Sequence, residues 1–408
     1  MKQVPMHLRN PRRQKERGND MTTHTRPRQT CAAWIAAFGM ALVAANATAQ
    51  SNTVPGRIIE INVPGSGARA GQGTQAIGVN ERGAIVGFYI DATYAGRGFL
   101  RNPDGRFAKF DPVGSTYTYV YGLNREGAVT GFYSDANSVF HGFQRTPDGE
   151  ITTFDAPDAG TGAGQGTITG DINDSGVIAG YYYDAIGVAH GFVRAPDGKI
   201  TSFDAPGAGT GVPSQGIGQG TFPQFFSSLT PAGAITGFYV DANYLYHGFV
   251  RNPNGSFTSF EAPGAGTTFG LGTISYSINP EGETTGPYYD ANSVAHGFLH
   301  APNGWMTTFD VSGAGTGAGQ GTYPMGNNSP GAIQGYYVDA SDVAHGFLRD
   351  TNGKITTFNV PASATGAGTG AGQGTYPMTN NSEGTIAGFY LDAHNAYHGF
   401  LRAATPER

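Results

Sequence analysis

Seven times along this chain an aspartate is followed, six residues later, by a basic or imidazole side chain. The aspartates are Asp91, Asp135, Asp184, Asp241, Asp290, Asp339 and Asp392. Their partners are Arg97, His141, His190, His247, His296, His345 and His398. Carboxylate and imidazole at a fixed spacing could bind a metal or pass protons. Two features argue against both. The spacing between successive aspartates runs 44, 49, 57, 49, 49 and 53, while the six-residue offset never changes. And Arg97 stands at one of the seven partner positions, where it can form a salt bridge to Asp91 but cannot ligate a metal. A structural pair across a β-hairpin, with the carboxylate accepting an imidazole N–H, accounts for all seven. No metal and no cofactor are expected.

Better candidates are residues that break the repeat. Asp171 is the one acidic residue within a first strand; its counterparts are Gly78, Gly122, Ser228, Ser277, Gly326 and Thr379. A single carboxylate is not an acid–base pair. The fourth copy has the longest connection and carries Phe222, Gln224, Phe225 and Phe226, with related aromatic residues at Tyr117, Tyr119, Tyr323 and Tyr376. Exposed aromatic rings at a channel mouth suit sugars or peptides. Phe222, Gln224, Phe225, Phe226 and Asp171 are therefore the expected ligand contacts. The alternative is that the rings fill the channel entrance. Gly160–Gly166 and Gly313–Gly321 place glycine at every second position. No strand-to-helix context surrounds them and no Lys-Ser/Thr follows, so they read as flexible connections rather than phosphate loops.

The elements that position these residues are short strands, four per copy. In the first copy they are Gly73–Asn80, Ala84–Asp91, Arg97–Asn102 and Arg106–Asp111. Asn-x-x-Gly, as in Asn80–Gly83, turns the first strand into the second. Pro-Asp-Gly and its variants turn the third into the fourth. Strand two is apolar on both faces (Ile85, Val86, Phe88, Tyr89, Ile90), so both faces are covered. Each copy has Gly in mid-strand, Gly87 in the first. Pairing Asp91 with Arg97 sets Gly87 opposite Arg101 and predicts a long side chain over each such Gly. Arg101, Arg145, Arg194, Arg251, Arg349 and Arg402 recur, and are expected to stack on the repeated Tyr.

Arg57–Pro64 matches a fourth strand, as in Lys199–Pro206, and the last copy ends on a third strand, His398–Arg402. The two complete each other. The expected fold is all-β, a seven-bladed β-propeller of four-stranded antiparallel blades, closed by pairing of the N-terminal strand with the last blade. The Gly-rich connections and the Asp-to-His loops then share one side of the disc.

The run Ile172–Tyr181, with His190-Gly191-Phe192 after it, resembles the HAF-type extracellular repeat family, named for a His-Ala-Phe triplet following an Ile-Asn-x-x-Gly hairpin. The resemblance spans all seven copies, with Gly in the middle of every triplet. It implies an exported repeat protein and supplies no catalytic residues.

Export is also written in residues 1–49. Arg9, Arg12, Arg13, Lys15, Arg17, Arg26 and Arg28 precede an apolar run, Ala32–Ala45, that ends in Ala47-Thr48-Ala49. This is the layout of a secretory signal peptide. The run is shorter than the about 20 residues that span a membrane. Met21 would begin a signal of ordinary length, so the start is Met1 or Met21. Cys31 is the sole cysteine, so residues 50–408, read as a single propeller domain, carry no disulfide. From Gln50 onward, 16 Lys+Arg stand against 28 Asp+Glu, a net charge of −12. Such a chain disfavours nucleic acid and anionic membrane. The expectation is a secreted or periplasmic monomer, non-catalytic, that binds a carbohydrate or a cell-surface partner. One alternative is an extracellular polysaccharide lyase or glycoside hydrolase with its site at the channel mouth. Another is a structural surface protein without a ligand. The mature chain is predicted to begin at or near Gln50; N-terminal sequencing of exported material that retains Trp34 would contradict this.

Overall fold

The computed structural model describes residues 56–214, 217–361 and 366–404; the leader lies outside them. The described residues form 29 strands and no helix. In the first repeat the strands are Gly73–Val79, Ile85–Ile90, Gly96–Arg101 and Phe107–Phe110, each antiparallel to the next. The other repeats follow this order. In the last, Tyr397–Arg402 pairs antiparallel with the N-terminal strand Ile58–Ile61, from Ile58 opposite Arg402 to Ile61 opposite Gly399. Each third strand buries one Phe completely: Phe99, Phe143, Phe192, Phe249, Phe298, Phe347 and Phe400.

The step between repeats is alike in six of the seven cases. The first residue of a first strand makes one parallel pairing with the preceding third strand, as Gly166 does with Phe140. Gly73 pairs in this way with Tyr397 of the last repeat. These glycines have φ of 114–128° in repeats one, three to seven, and a Cβ would lie about 2 Å from the preceding carbonyl oxygen, so no other residue fits.

The register differs from the sequence expectation by two residues. Tyr89, not Asp91, faces Arg97, and Gly87 faces Phe99 rather than Arg101. The reason is that Asp91 turns the chain instead of pairing in the ladder. What crowds Gly87 is a backbone carbonyl: a Cβ there would sit 2.0 Å from the oxygen of Gln75 and 3.1 Å from the Phe99 ring. The Gly of the His-Gly-Phe triplet has its own cause. At Gly191 a Cβ would meet the Phe203 ring of strand four at 2.4 Å.

The recurring Arg does not stack on the repeated Tyr. It lies over the fourth-strand Phe of the preceding repeat: Arg145 over Phe110, Arg194 over Phe154, Arg251 over Phe203, Arg349 over Phe309 and Arg402 over Phe358, at 4.6–5.2 Å. In the fifth repeat the His300 ring stacks on Phe260 at 4.2 Å.

A second inter-repeat bond runs along the Asn-x-x-Gly turns. The Asn oxygen closes its own turn, as when Asn124 Oδ1 accepts the Ala128 N–H at 2.8 Å. The amide nitrogen donates to the next repeat's backbone: Asn80 to Asn124 O, Asn124 to Asn173 O, Asn173 to Thr230 O. Asn279 donates to Asn328 O, Asn328 to Asn381 O, and Asn381 back to Asn80 O at 3.2 Å. Thr230 has no amide, so it cannot continue the series. Asn124→Asp keeps the turn acceptor and loses the donor. It is predicted to cost about 1–3 kcal/mol, the penalty for a buried carbonyl left without its partner. Urea unfolding measures this; an unchanged midpoint would show the amide bond to be idle.

Candidate functional site

Each Asp of the repeated pair does two things. One oxygen accepts two backbone N–H groups and closes the loop, as Asp135 Oδ1 does with Asn137 and Val139 at 2.8 and 2.9 Å. The other oxygen faces the His. Nε2–Oδ2 distances are 3.8 Å for His141–Asp135, 3.5 Å for His190–Asp184, 3.5 Å for His247–Asp241 and 3.7 Å for His296–Asp290. They shorten to 3.0 Å for His345–Asp339 and 3.3 Å for His398–Asp392. Arg97 lies 3.6 Å from Asp91.

Sequence reasoning missed a second partner, which in most copies is the closer one. Nδ1 of His141 meets Asp155 at 2.9 Å, His190 meets Asp204 at 2.9 Å and His296 meets Asp310 at 3.0 Å. His247 meets Glu261, His345 meets Asn359 at 3.1 Å, and Arg97 meets Asp111 at 3.0 Å. The signal was present: an acidic or amide residue follows the fourth-strand Phe in six copies. Each His ring also stacks on the Tyr opposite it in register, as His190 does on Tyr182 at 5.2 Å. The Glu261 hydrogen bond raises His247 against the opposing effect of burial. Burial disfavours ionised Asp135, yet the Val139 and Asn137 N–H groups and His141 hold its carboxyl below the usual range. These side chains tie strands two, three and four of one repeat together. Among the described residues no three of them converge as a metal site would require.

Asp171 follows a register shift in the first strand Gly166–Ile172 of repeat three. Its oxygens accept the Ile172 N–H at 2.8 Å and the Leu229 N–H of the next repeat at 3.2 Å. Thr379 does the same job between repeats seven and one, accepting the Val79 N–H at 3.2 Å and donating to Ile77 O at 3.0 Å. Asp171 is thus a seam residue. Burial pushes its carboxyl up to about 6, against the N–H groups of Ile172, Leu229 and Ser228.

Phe222, Gln224 and Phe226 are not the exposed mouth residues expected. They are 7%, 5% and 4% exposed. The strand Gly220–Pro223 ends early, and the segment after it carries apolar rings into the space between first strands. Phe222 stacks on Phe238 at 4.9 Å. Phe225, half-buried, packs on Tyr121 of repeat two at 4.6 Å and Tyr181 of repeat three at 5.9 Å. The rings pack among aromatic side chains of repeats two, three and four. The Gly-rich connections differ too: a Gln at the end of five of them orders the turn. Gln165 accepts the Gly162 N–H at 2.9 Å and donates to Ala185 O at 2.9 Å.

What the structure brings together instead is a set of tyrosine hydroxyls. Tyr276 stands where the first strand of repeat five is interrupted, between Gly272–Thr273 and Ser277–Ile278. Its hydroxyl lies within electrostatic reach of Tyr246 of repeat four, Tyr289 of its own repeat, and Tyr336 and Tyr323 of repeat six. Tyr289 and Tyr323 rings are 6.4 Å apart, Tyr323 and Tyr336 5.0 Å, Tyr336 and Tyr376 5.0 Å. Tyr246, Tyr276 and Tyr289 keep some surface open; Tyr323 and Tyr336 are buried. Burial pushes all five hydroxyls well above the ordinary range, so they remain neutral donors and acceptors. Of the five only Tyr323 was singled out from sequence. The available signal was Pro287, which replaces the strand-two aromatic beside this group.

The raised Asp171 carboxyl sets a direction for pH. Folded Asp171 holds its proton more tightly than the ordinary 3.8 allows, so its contribution to stability is present below about pH 4 and lost as pH rises through 6. Asp171→Thr, copying Thr379, is predicted to melt higher than the parent at pH 8, with the gap closing toward pH 4. A gap that widens on acidification would reverse the assignment.

No family model matches this chain, and no curated protein matches it. Among solved structures it is similar to virginiamycin B lyase from Staphylococcus aureus, at 15% identity and a TM-score of 0.50, over 85% of this chain and 99% of that one. It is also similar to the BP39L lectin from Burkholderia pseudomallei, at 11% identity and a TM-score of 0.46, over 81% and 96%. YCF48 bound to D1 peptide matches at 9% identity and 0.46, over 87% and 96%. At such identities the likeness speaks for the fold alone, and that fold is a β-propeller.

Proposed function

We propose that the mature chain is an exported, closed, seven-bladed β-propeller that binds a neutral carbohydrate and does no chemistry on it. Closure is supported by the pairing of Ile58–Ile61 with Gly399–Arg402 and by the Asn381 bond to Asn80. The observation that carries the binding reading is the convergence of Tyr246, Tyr276, Tyr289, Tyr323 and Tyr336 from three repeats. Tyrosine offers a flat apolar ring and a hydroxyl in one side chain. A pyranose has the matching surfaces, a C–H face and a rim of hydroxyls. The five residues carry no charge at physiological pH, which favours a neutral sugar over a charged one.

Hydrolysis would call for two carboxylates on opposite sides of the bond. Asp171, the acid singled out near the axis, has its oxygens engaged by backbone N–H groups, one to each oxygen. That supports binding over catalysis.

The experiment is a neutral-glycan array with the mature chain, followed by calorimetry on any sugar retained. Tyr276→Phe removes one hydroxyl and keeps the ring. It is predicted to weaken binding about tenfold, the worth of a lost hydrogen bond to a buried polar partner, with an unaltered melting temperature. Binding unchanged by Tyr276→Phe would place the ligand elsewhere. Release of new reducing ends from the bound glycan would establish the hydrolase instead.

A further inference from the structure

The loop face of repeats four and five carries aromatic residues that the repeat pattern does not call for. Tyr244 occupies the left-handed position of its Asp-to-His loop, with φ of 63°. Tyr94 takes the same position in repeat one, but Ser138 and Ser293 take it in repeats two and five. A small polar residue therefore suffices for the turn, and Tyr is the strained choice there. Phe269 stands where four other connections have Ala70, Ala163, Ala318 and Ala371. Leu271, two residues on, replaces the Gln that orders the other loops.

Leu271 is buried, but the two rings stand outside the core: Tyr244 is half-buried, Phe269 is 38% exposed, and Val212 against Tyr244 is 61% exposed. They are nonetheless built into one surface. The Tyr244 and Phe269 rings lie 5.0 Å apart, tilted by 35°. The Tyr244 hydroxyl donates to Val212 O at 2.8 Å, which fixes the ring across the preceding connection. The Gly270 N–H donates to Tyr244 O at 2.9 Å, which ties the Phe269 loop to the Tyr244 loop. The outcome is an ordered, uncharged aromatic shelf from two neighbouring loops.

The shelf adjoins the tyrosine group through Tyr246. That residue opens the strand Tyr246–Arg251 two residues after Tyr244, and its N–H donates to Leu271 O at 2.9 Å, two residues after Phe269. Tyr246 in turn lies within electrostatic reach of Tyr289 and Tyr276.

We infer that Tyr244 and Phe269 form an outer subsite for the same neutral carbohydrate, so that the ligand is an extended glycan chain running from the tyrosine group out over repeat four. This rests on the carbohydrate reading above. The occupant is set by two things: none of Val212, Tyr244, Phe269 and Tyr246 is charged, and the shelf continues the proposed sugar site. A disaccharide fills the inner group alone. A longer chain reaches the shelf and stacks on it.

The repeat itself supplies safe variants, because other copies of this chain already hold Ser and Ala at these positions. Calorimetry is run on the full mature chain with two-unit and six-unit members of four neutral glycans: cello-, malto-, xylo- and manno-oligosaccharides. For the glycan that binds, the parent is expected to favour six units over two by at least about tenfold, the order of one aromatic contact. Tyr244→Ser with Phe269→Ala should abolish that preference and leave the two-unit affinity and the melting temperature as they were. Equal affinity for both lengths in the parent overturns the outer subsite, as does a length preference that survives the double variant. Capture of an apolar peptide on the shelf, lost in the double variant, with no length effect for glycans, overturns it too. If none of the four glycans binds at either length, the carbohydrate reading itself falls, which distinguishes the two failures.

Discussion

Six of the seven repeats hand one side-chain amide to the backbone of the next, and most of the architecture follows from that bond. Asn80, Asn124, Asn173, Asn279, Asn328 and Asn381 are all at most 6% exposed. A buried carbonyl without a donor is costly, so each amide fixes the position of its neighbour as well as its own turn. The Arg over the preceding Phe does the same near the rim. Between these two fastenings the sheet faces pack on one another, and each third-strand Phe loses all contact with solvent. Like fastenings at most steps leave little freedom for one repeat to tilt differently from the next.

The one seam that lacks the amide is the one after Thr230. There the link is made by the backbone, the Ile278 N–H donating to Ser227 O at 2.9 Å. Ser227 takes φ of 45° to present that carbonyl. Irregularity gathers on both sides of it. The first strand of repeat four stops at Pro223, and that of repeat five is interrupted around Tyr276. The longest connection precedes this seam, and the half-buried Tyr244 and the exposed Phe269 flank it. A strict repeat makes equivalent surfaces everywhere. Relaxing it at one seam makes a surface that is unlike the others, as a single ligand site needs.

Much of the strand layout was legible in the sequence because the repeat signals act locally. Asn-x-x-Gly, Pro-Asp-Gly and the invariant Asp-to-His offset each specify a turn within a few residues. What was not legible depended on contacts between distant residues. The hairpin register went wrong by two because Asp91 closes a loop that, from spacing alone, looked like part of the ladder. The second acid at each His lies 14 residues along the chain, across another turn, and its role emerges only once strand four is placed beside strand three. Phe222 and Phe226 were misread because exposure is not a property of a residue type. An apolar insertion can line a mouth or fill it, and here the neighbouring Tyr121, Tyr181 and Phe238 give it something to bury against.

The repeated Asp and His also bear on how a functional site should be sought in a repeat protein. Seven near-identical clusters invite a story of seven sites. Yet the carboxylates and rings of these clusters are largely engaged by contacts inside the repeat, as in repeat two with the loop N–H groups, the stacked Tyr133 and the fourth-strand Asp155. A group whose hydrogen-bonding capacity is spent on its own fold has little left for a ligand. Tyr276 stands at the opposite extreme. It stands at the residue that breaks the first-strand ladder, where only Tyr121 of repeat two is also a tyrosine, and brings a neutral hydroxyl among four others from its own and the two neighbouring repeats. In a repeat of this kind, recurrence reports on what holds the molecule together. Residues that depart from it, and that the core does not demand, are where an affinity for something outside the chain can arise without weakening every blade at once.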